Sequence, residues 1–77
     1  MEIEGAFGLV LKERRQAVGL SQLELANRSG LDRTFISMLE RGQRRPTLNT
    51  IFSLAKELGV SPSGFVKEVE KYIAKNE

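Results

Sequence analysis

Glycines and helix-capping residues divide the 77-residue chain into segments of helical length. Four of these segments end at a glycine, and each glycine is followed within five residues by a Ser, Thr or Asp. Glycine ends helices because it adopts a left-handed conformation without steric cost, and Ser, Thr and Asp side chains accept hydrogen bonds from first-turn amides. No stretch shows the sustained apolar–polar alternation of a half-buried strand. The sequence therefore predicts an all-α fold of five helices.

The predicted helices cover about residues 4–18, 22–29, 33–41, 48–58 and 62 to 72 or beyond. Their predicted N-caps are Ser21, Asp32, Thr47 and Ser61, and Glu24 three residues after Ser21 completes a capping box. The apolar residues expected to face the core from the fourth helix are Leu48, Ile51, Ala55 and Leu58.

Gly8 lies inside the first predicted helix, where glycine costs about 1 kcal/mol relative to alanine. A glycine at such a position indicates that a neighbouring backbone approaches closely. We therefore expect another helix to cross the first one near Gly8.

Length and composition exclude several classes of protein. Seventy-seven residues form one domain, 1–77, which is expected to be marginally stable or oligomeric because short chains bury little surface. The chain has neither cysteine nor histidine, and its acidic residues lack metal-ligand spacing, so we expect no enzyme, cofactor or metal site. The longest uncharged stretch, 46–55, is far below the ~18 apolar residues of a membrane span, so a cytoplasmic protein without a membrane partner is expected.

The positive charge is concentrated in one segment. The chain carries a net charge of +2, but residues 28–45 contain five arginines against only Asp32 and Glu40, a local net charge of +3. The planar guanidinium group suits phosphates and guanine edges, whereas an ordinary solvated face is more often rich in lysine. This segment therefore predicts a nucleic-acid contact.

The same segment contains the pattern of a helix-turn-helix, at about residues 21–42. Two short helices are separated by Ser29-Gly30-Leu31, a turn of the length and glycine content typical of this motif. Ala26 is small where the helices would lie closest, and Gly30 can adopt the left-handed conformation that reverses the chain. The apolar residues expected to hold the two helices together are Leu25, Leu31, Ile36 and Leu39.

Residues 20–62, LSQLELANRSGLDRTFISMLERGQRRPTLNTIFSLAKELGVSP, resemble the helix-turn-helix of the phage repressor and Cro (Xre) family, and FGLVLKERRQAVG resembles its first helix. Within the family, LDRTFIS followed by ERGQR is similar to the single-domain controller proteins of restriction–modification systems. The resemblance implies a lambda-repressor-like domain that binds double-stranded DNA.

The resemblance also implies roles for individual residues. In this family the second helix of the motif enters the major groove with its N-terminal residues at the base edges. By position, the base contacts are Arg33, Thr34, Ser37 and Met38, although Ser37 could simply clear the groove and Met38 could only pack. The implied phosphate contacts are Gln22, Arg41, Gln43, Arg44, Arg45 and Asn49. Arg15 and Glu40 match an ion pair that ties the first helix to the third.

A homodimer is expected because one short recognition helix reads too few base pairs to select a site, whereas two-fold dimers read paired half-sites. The fifth helix, about 61–74, carries an apolar stripe at spacings of three and four residues. Phe65, and to some extent Val69, should serve the core. The predicted dimer surface consists of Phe52, Val66, Val69, Tyr72 and Ile73. The alternative is that the whole stripe is core.

The sequence thus predicts a transcriptional regulator that binds a palindromic operator as a homodimer, with no small-molecule effector. One alternative is an antitoxin-like interaction module that binds DNA together with a different protein. Another is an RNA-binding factor with the same fold.

Overall fold

The computed structural model describes residues 1–77 as five helices and no strand. These are α1 Ile3–Ala17, α2 Gln22–Ser29, α3 Arg33–Glu40, α4 Leu48–Leu58 and α5 Pro62–Lys75. The all-α prediction is confirmed, and α2 and α4 have the predicted ends. None of the five helices has the length and apolar character needed to cross a membrane.

Three of the four predicted N-caps are made by side chains. Ser21 and Glu24 form a complete capping box, and the hydroxyl groups of Thr47 and Ser61 each accept a hydrogen bond from an amide three residues ahead. The prediction for Asp32 is wrong in part. Asp32 occupies the N-cap position of α3, but its side chain makes no capping hydrogen bond. Its extended backbone alone ends the turn, and its exposed side chain is left to solvent.

The core is one cluster to which all five helices contribute. Its aromatic centre is the contact between Phe7 of α1 and Phe65 of α5, whose ring centroids lie 5.0 Å apart at 45°. Tilted aromatic pairs at this distance are favourable beyond their buried area. The other members of the cluster are Ala6, Val10, Leu11, Leu20, Leu25, Ala26, Ile36, Leu39, Leu54, Ala55, Leu58 and Val69.

The apolar face of α4 differs from the expected one at its first residue. Leu48 is 72% exposed, whereas Leu54, which was not expected in the core, is fully buried. Leu48 lies in the first turn of α4, directly after an exposed loop, so no neighbouring element covers it. Ile51 is half-buried against the cluster, and Ala55 and Leu58 are buried as predicted.

Gly8 lies where α1 crosses the C-terminal end of α3. A Cβ atom added at Gly8 would lie 2.5 Å from the carbonyl oxygen of Leu39 and 2.6 Å from that of Glu40. The close approach predicted from the sequence is therefore present, and the approaching backbone is that of α3. Gly5, in the same helix, would place its Cβ with no atom within 4 Å.

We expect Gly8→Ala to lower the free energy of unfolding by about 2–3 kcal/mol, because the added methyl group forces α1 away from two backbone carbonyls. The control is Gly5→Ala, which should raise it by about 0.5–1 kcal/mol through the lost flexibility of the unfolded chain. Urea unfolding followed by circular dichroism measures both. Equal stabilities of the Gly8→Ala variant and the parent would contradict the close crossing of α1 and α3.

Candidate nucleic-acid interface

The turn between α2 and α3 has the geometry that the sequence predicted. Gly30 ends α2 in the left-handed conformation, with φ of +70°, and the amide of Leu31 donates to the carbonyl of Ala26 at 2.9 Å. Leu25 and Ala26 on α2 are buried together with Ile36 and Leu39 on α3. Since both helices share this core, α3 is held rigidly with its opposite side outward.

The outward side of α3 carries the four residues predicted to contact bases. Arg33 and Thr34 are exposed in the first turn, and Ser37 and Met38 follow one turn later in half-buried positions. Residues separated by three or four positions share a helix face, so the four side chains form one patch. Phe35 is half-buried and packs against the core.

A loop of basic residues follows α3 directly. The side chains of Arg41, Gln43, Arg44 and Arg45 are all exposed, and Gly42 turns the chain with φ of +73°. Gln43, Arg44 and Arg45 line a groove together with Phe35 of α3 and Glu4 of α1. The structure therefore places these predicted phosphate contacts beside the predicted base-contacting helix.

The charges of this surface differ in how they are compensated. Arg45 donates from Nε to the carboxylate of Glu4 at 2.8 Å, whereas Arg33, Arg41 and Arg44 form no ion pair. The pKa of Glu4 lies below its ordinary value, because a backbone amide and then Arg45 donate to its carboxylate. Sequence reasoning missed the partnership of Glu4 and Arg45, since 41 positions separate them and no local pattern connects them.

Behind this surface, Arg15 of α1 and Glu40 of α3 form the implied ion pair. Nε of Arg15 donates to Oε2 of Glu40 at 2.6 Å, and Nη2 donates to Oε1 at 3.0 Å. The side chain of Glu40 is 4% exposed and that of Arg15 is 11% exposed, so the pair is shielded from water. These hydrogen bonds to Glu40 raise the pKa of Arg15 above its ordinary value. Nη1 of Arg15 donates to the carbonyl of Leu20 at 2.9 Å.

The other two predicted phosphate contacts lie at helix starts. Gln22 is the first residue of α2 and Asn49 is in the first turn of α4, where Asn49 is exposed. Gln22 is half-buried and donates from Nε2 to Oε1 of Glu40 at 3.0 Å. This third bond to the carboxylate of Glu40 was not foreseen from the sequence.

The predicted dimer surface is only partly exposed. Phe52 and Val66 are 59% and 47% exposed, and Ile3 and Leu48 are 67% and 72% exposed. We call Ile3, Leu48, Phe52 and Val66 the apolar face. A groove lined by Ile3 and Val66 connects the start of α1 to α5.

Three residues expected on the dimer surface pack wholly or partly against the core of their own chain instead. Val69 is 6% exposed and belongs to the core, which corrects its assignment. Its position one turn after Phe65 places it on the side of α5 that packs on the cluster. Tyr72 and Ile73 are half-buried against the core, and the hydroxyl of Tyr72 donates to Glu13 of α1 at 2.6 Å. This bond raises the pKa of Tyr72.

A third ion pair joins α1 to α5 beside Tyr72. Nε of Arg14 donates to both oxygens of Glu68, at 3.0 and 2.9 Å. Because this pair is half exposed, it contributes little to stability by itself, but it orients α5 on α1. No group of three or more His, Cys, Asp or Glu residues is placed to hold a metal ion.

Comparison with known proteins identifies a helix-turn-helix family. The helix-turn-helix family model HTH_3 matches residues 11–65. The HTH-type transcriptional regulator y4dJ of Sinorhizobium fredii is 41% identical over 61 residues, which cover 79% of each protein. The HTH-type transcriptional regulator PuuR of Escherichia coli is 43% identical over 72 residues, or 92% of this chain, but the chain spans only 39% of PuuR.

Solved structures with the same fold include two that cover most of this chain. The restriction-modification controller protein C.AhdI of Aeromonas hydrophila superposes with a TM-score of 0.78 at 45% identity, covering 80% of this chain and 94% of C.AhdI. C.Esp1396I bound to a 25 base pair operator site superposes with a TM-score of 0.85 at 34% identity, covering 96% of this chain and 97% of that one.

Removing one member of the buried pair of Arg15 and Glu40 should lower the free energy of unfolding far more than replacing both members. We expect Glu40→Ala to lower the free energy of unfolding by roughly 3 kcal/mol, because it leaves the Arg15 guanidinium without its carboxylate. Exchanging both residues together, Arg15→Met with Glu40→Met, should leave it within about 1 kcal/mol of the parent, since buried ion pairs are often replaceable by apolar residues. Urea unfolding measures both. If Glu40→Ala unfolds at the same midpoint as the parent, the pair does not tie α1 to α3.

Proposed function

The chain belongs to the helix-turn-helix family, and from that membership we propose that it is a transcriptional regulator that binds a specific double-stranded DNA site as a homodimer. The observation that carries the proposal is the exposed face of α3, with the unpaired Arg33 at its N-terminal end and the arginine loop beside it. This arrangement lies on a scaffold that superposes over 96% of its length with C.Esp1396I bound to an operator.

In the proposed complex, α3 enters the major groove and its first turn meets the base edges. Arg33 is the main source of specificity, because its guanidinium can donate two hydrogen bonds to O6 and N7 of guanine. Thr34 presents a hydroxyl and a methyl group, and Ser37 and Met38 line the inner part of the same face. Met38 is half-buried, so only part of its side chain is available to a thymine methyl group.

Phosphate contacts hold α3 in register on the duplex without reading sequence. Arg41, Gln43 and Arg44 extend from the loop on one side of α3, and Gln22 lies at the start of α2. Asn49, in the first turn of α4, continues the line of contacts beyond the loop. Arg45 contributes only if a phosphate competes with Glu4 for its guanidinium, so we rank it below Arg44.

A homodimer follows from the size of the recognition helix and from the apolar face. α3 has eight residues, about 12 Å of helix, which spans only a few base pairs. Two copies related by a two-fold axis would read half-sites about 34–36 Å apart. Phe52 on α4 and Val66 on α5 expose their side chains. Neither residue belongs to α3, which carries the base-contacting residues. This face is where we place the second copy.

The similarity to C.AhdI and C.Esp1396I favours a regulator of the restriction–modification controller type. The chain covers 94% of C.AhdI and 97% of C.Esp1396I, so the comparison extends over nearly the full length of both solved structures. In a controller-type regulator, occupancy of paired operator sites would rise with the concentration of the protein itself, without a small-molecule effector.

We expect Arg33→Ala to relax base preference at one position of each half-site, since the bidentate contact discriminates by about 1–3 kcal/mol. The control is Arg44→Ala, which should weaken binding to every duplex alike and reduce the slope of log K against log salt by about 0.9. Selection of binding sites from random duplexes with the parent and both variants, followed by titration at several salt concentrations, measures this.

The parent protein should select a palindrome in that experiment. Selection of no preferred duplex would contradict the proposal, and an unchanged preference in Arg33→Ala would show that α3 is not the reading helix. Preferential binding of RNA over duplex DNA would favour the alternative of an RNA-binding factor.

We expect Val66→Lys to convert a dimer into an 8.6 kDa monomer, because the charged group cannot be buried between two apolar faces. Val18→Lys is the matched control, since Val18 has nearly the same exposure, 45% against 47%, at the end of α1 remote from Ile3. Sedimentation at micromolar concentration distinguishes the two species. A parent that sediments as a monomer would contradict the homodimer. A stoichiometric foreign protein copurified from the native host would favour the antitoxin-like alternative.

A further inference from the structure

The carboxylate of Glu40 joins three helices. It accepts from Nε of Arg15 at 2.6 Å and from Nη2 of Arg15 at 3.0 Å, and it also accepts from Nε2 of Gln22 at 3.0 Å. Arg15 lies on α1, Gln22 is the first residue of α2, and Glu40 is the last residue of α3. One side chain therefore connects the first residue of α2 to the end of the helix proposed to read bases.

The third bond is not needed for the ion pair. Arg15 already satisfies both carboxylate oxygens of Glu40, and its remaining nitrogen donates to the carbonyl of Leu20 at 2.9 Å. The amide of Gln22 is added to a pair that is complete without it. Its effect is to restrict the orientation of a half-buried glutamine at the edge of the proposed DNA-binding surface.

The amide of Gln22 keeps unused hydrogen-bonding capacity after this contact. A glutamine side chain has two N–H donors and one carbonyl acceptor, and in this structure only the bond to Glu40 is formed. A second N–H is therefore available for a phosphate oxygen. Because Arg15 compensates the charge of Glu40, the carboxylate can hold the amide without adding an uncompensated negative charge opposite the DNA backbone.

We propose that Glu40 is a positioning residue for DNA binding, which orients the Gln22 amide so that its second N–H meets a backbone phosphate. The inference rests on the proposed function and adds a residue that does not itself touch DNA. A free glutamine loses rotamer freedom when it binds, whereas one already held by Glu40 has less to lose. Since Glu40 ends α3, the same contact couples the position of that phosphate to the register of the base-reading helix.

The coupling is measured by a double-mutant cycle on affinity for the selected operator duplex. Its four proteins are the parent, Gln22→Ala, the paired exchange Arg15→Met with Glu40→Met, and the combination of all three changes. In the parent, Gln22→Ala should weaken binding about tenfold, the effect of losing one hydrogen bond to a charged partner. In the paired-exchange background, the same change should weaken binding by less than about threefold, because Gln22 is no longer held.

Equal factors in the two backgrounds would overturn the inference, since Gln22 would then bind phosphate without help from Glu40. No effect of Gln22→Ala in the parent would also overturn it, because Gln22 would make no phosphate contact. If the parent selects no duplex at all, the proposed function and this inference fail together. If it selects a palindrome but the cycle is additive, this inference alone fails.

A second measurement does not require the paired exchange to fold. The chain contains three glutamines, and the side-chain amides of Gln16 and Gln43 form no hydrogen bond and are exposed. Side-chain nitrogen relaxation in the free parent should show Gln22 as rigid as the backbone and the other two as mobile on the ps–ns timescale. One of the two Gln22 amide protons should shift when operator is added. A Gln22 amide as mobile as those of Gln16 and Gln43 would overturn the proposal.

Discussion

The crossing of α1 over the C-terminal end of α3 is the constraint on which the rest of the structure depends. Gly8 lets the carbonyls of Leu39 and Glu40 approach α1 more closely than any side chain would allow. Seven residues later, on the same face of α1, Arg15 binds the side chain of Glu40. One face of α1 therefore holds the last residue of α3 through both its backbone and its carboxylate. This contact and the core that α3 shares with α2 together fix the direction in which α3 points outward.

Two ion pairs lie near the same crossing, and both include a residue of α1. Two acidic groups near the proposed DNA surface are engaged with arginines, Glu40 with Arg15 and Glu4 with Arg45, whereas Asp32 at the start of α3 forms no ion pair. Arg33 and Arg44 have no such partner, so the positive field at this surface comes from fewer side chains than the composition implies. A net charge of only +2 is compatible with DNA binding because three of the four arginines without an ion pair, Arg33, Arg41 and Arg44, lie on α3 and its following loop.

Predictions from the sequence succeeded where the interaction is local. The capping box of Ser21 and Glu24 spans four residues, and the left-handed turn at Gly30 depends on the absence of a single Cβ. Such signals are complete within one or two helical turns, so the predicted helix boundaries agree closely with those of the structure. The helix-turn-helix was indicated by its glycine turn and spaced apolar residues, whereas the ion pair of Arg15 with Glu40 came from the resemblance to a family, which carries tertiary information that no local pattern contains.

By itself, then, the amino-acid sequence determined the five helices, most of their caps, the turn at Gly30 and the concentration of arginine after it, because each depends on neighbours in the chain. Only the tertiary structure decided that Leu48 is exposed and Val69 buried, since their burial depends on what other helices cover. It also decided that Glu4 binds Arg45 and that Gln22 binds Glu40, across 41 and 18 positions. Contacts at such separations are set by how whole helices pack, and helix periodicity does not encode them.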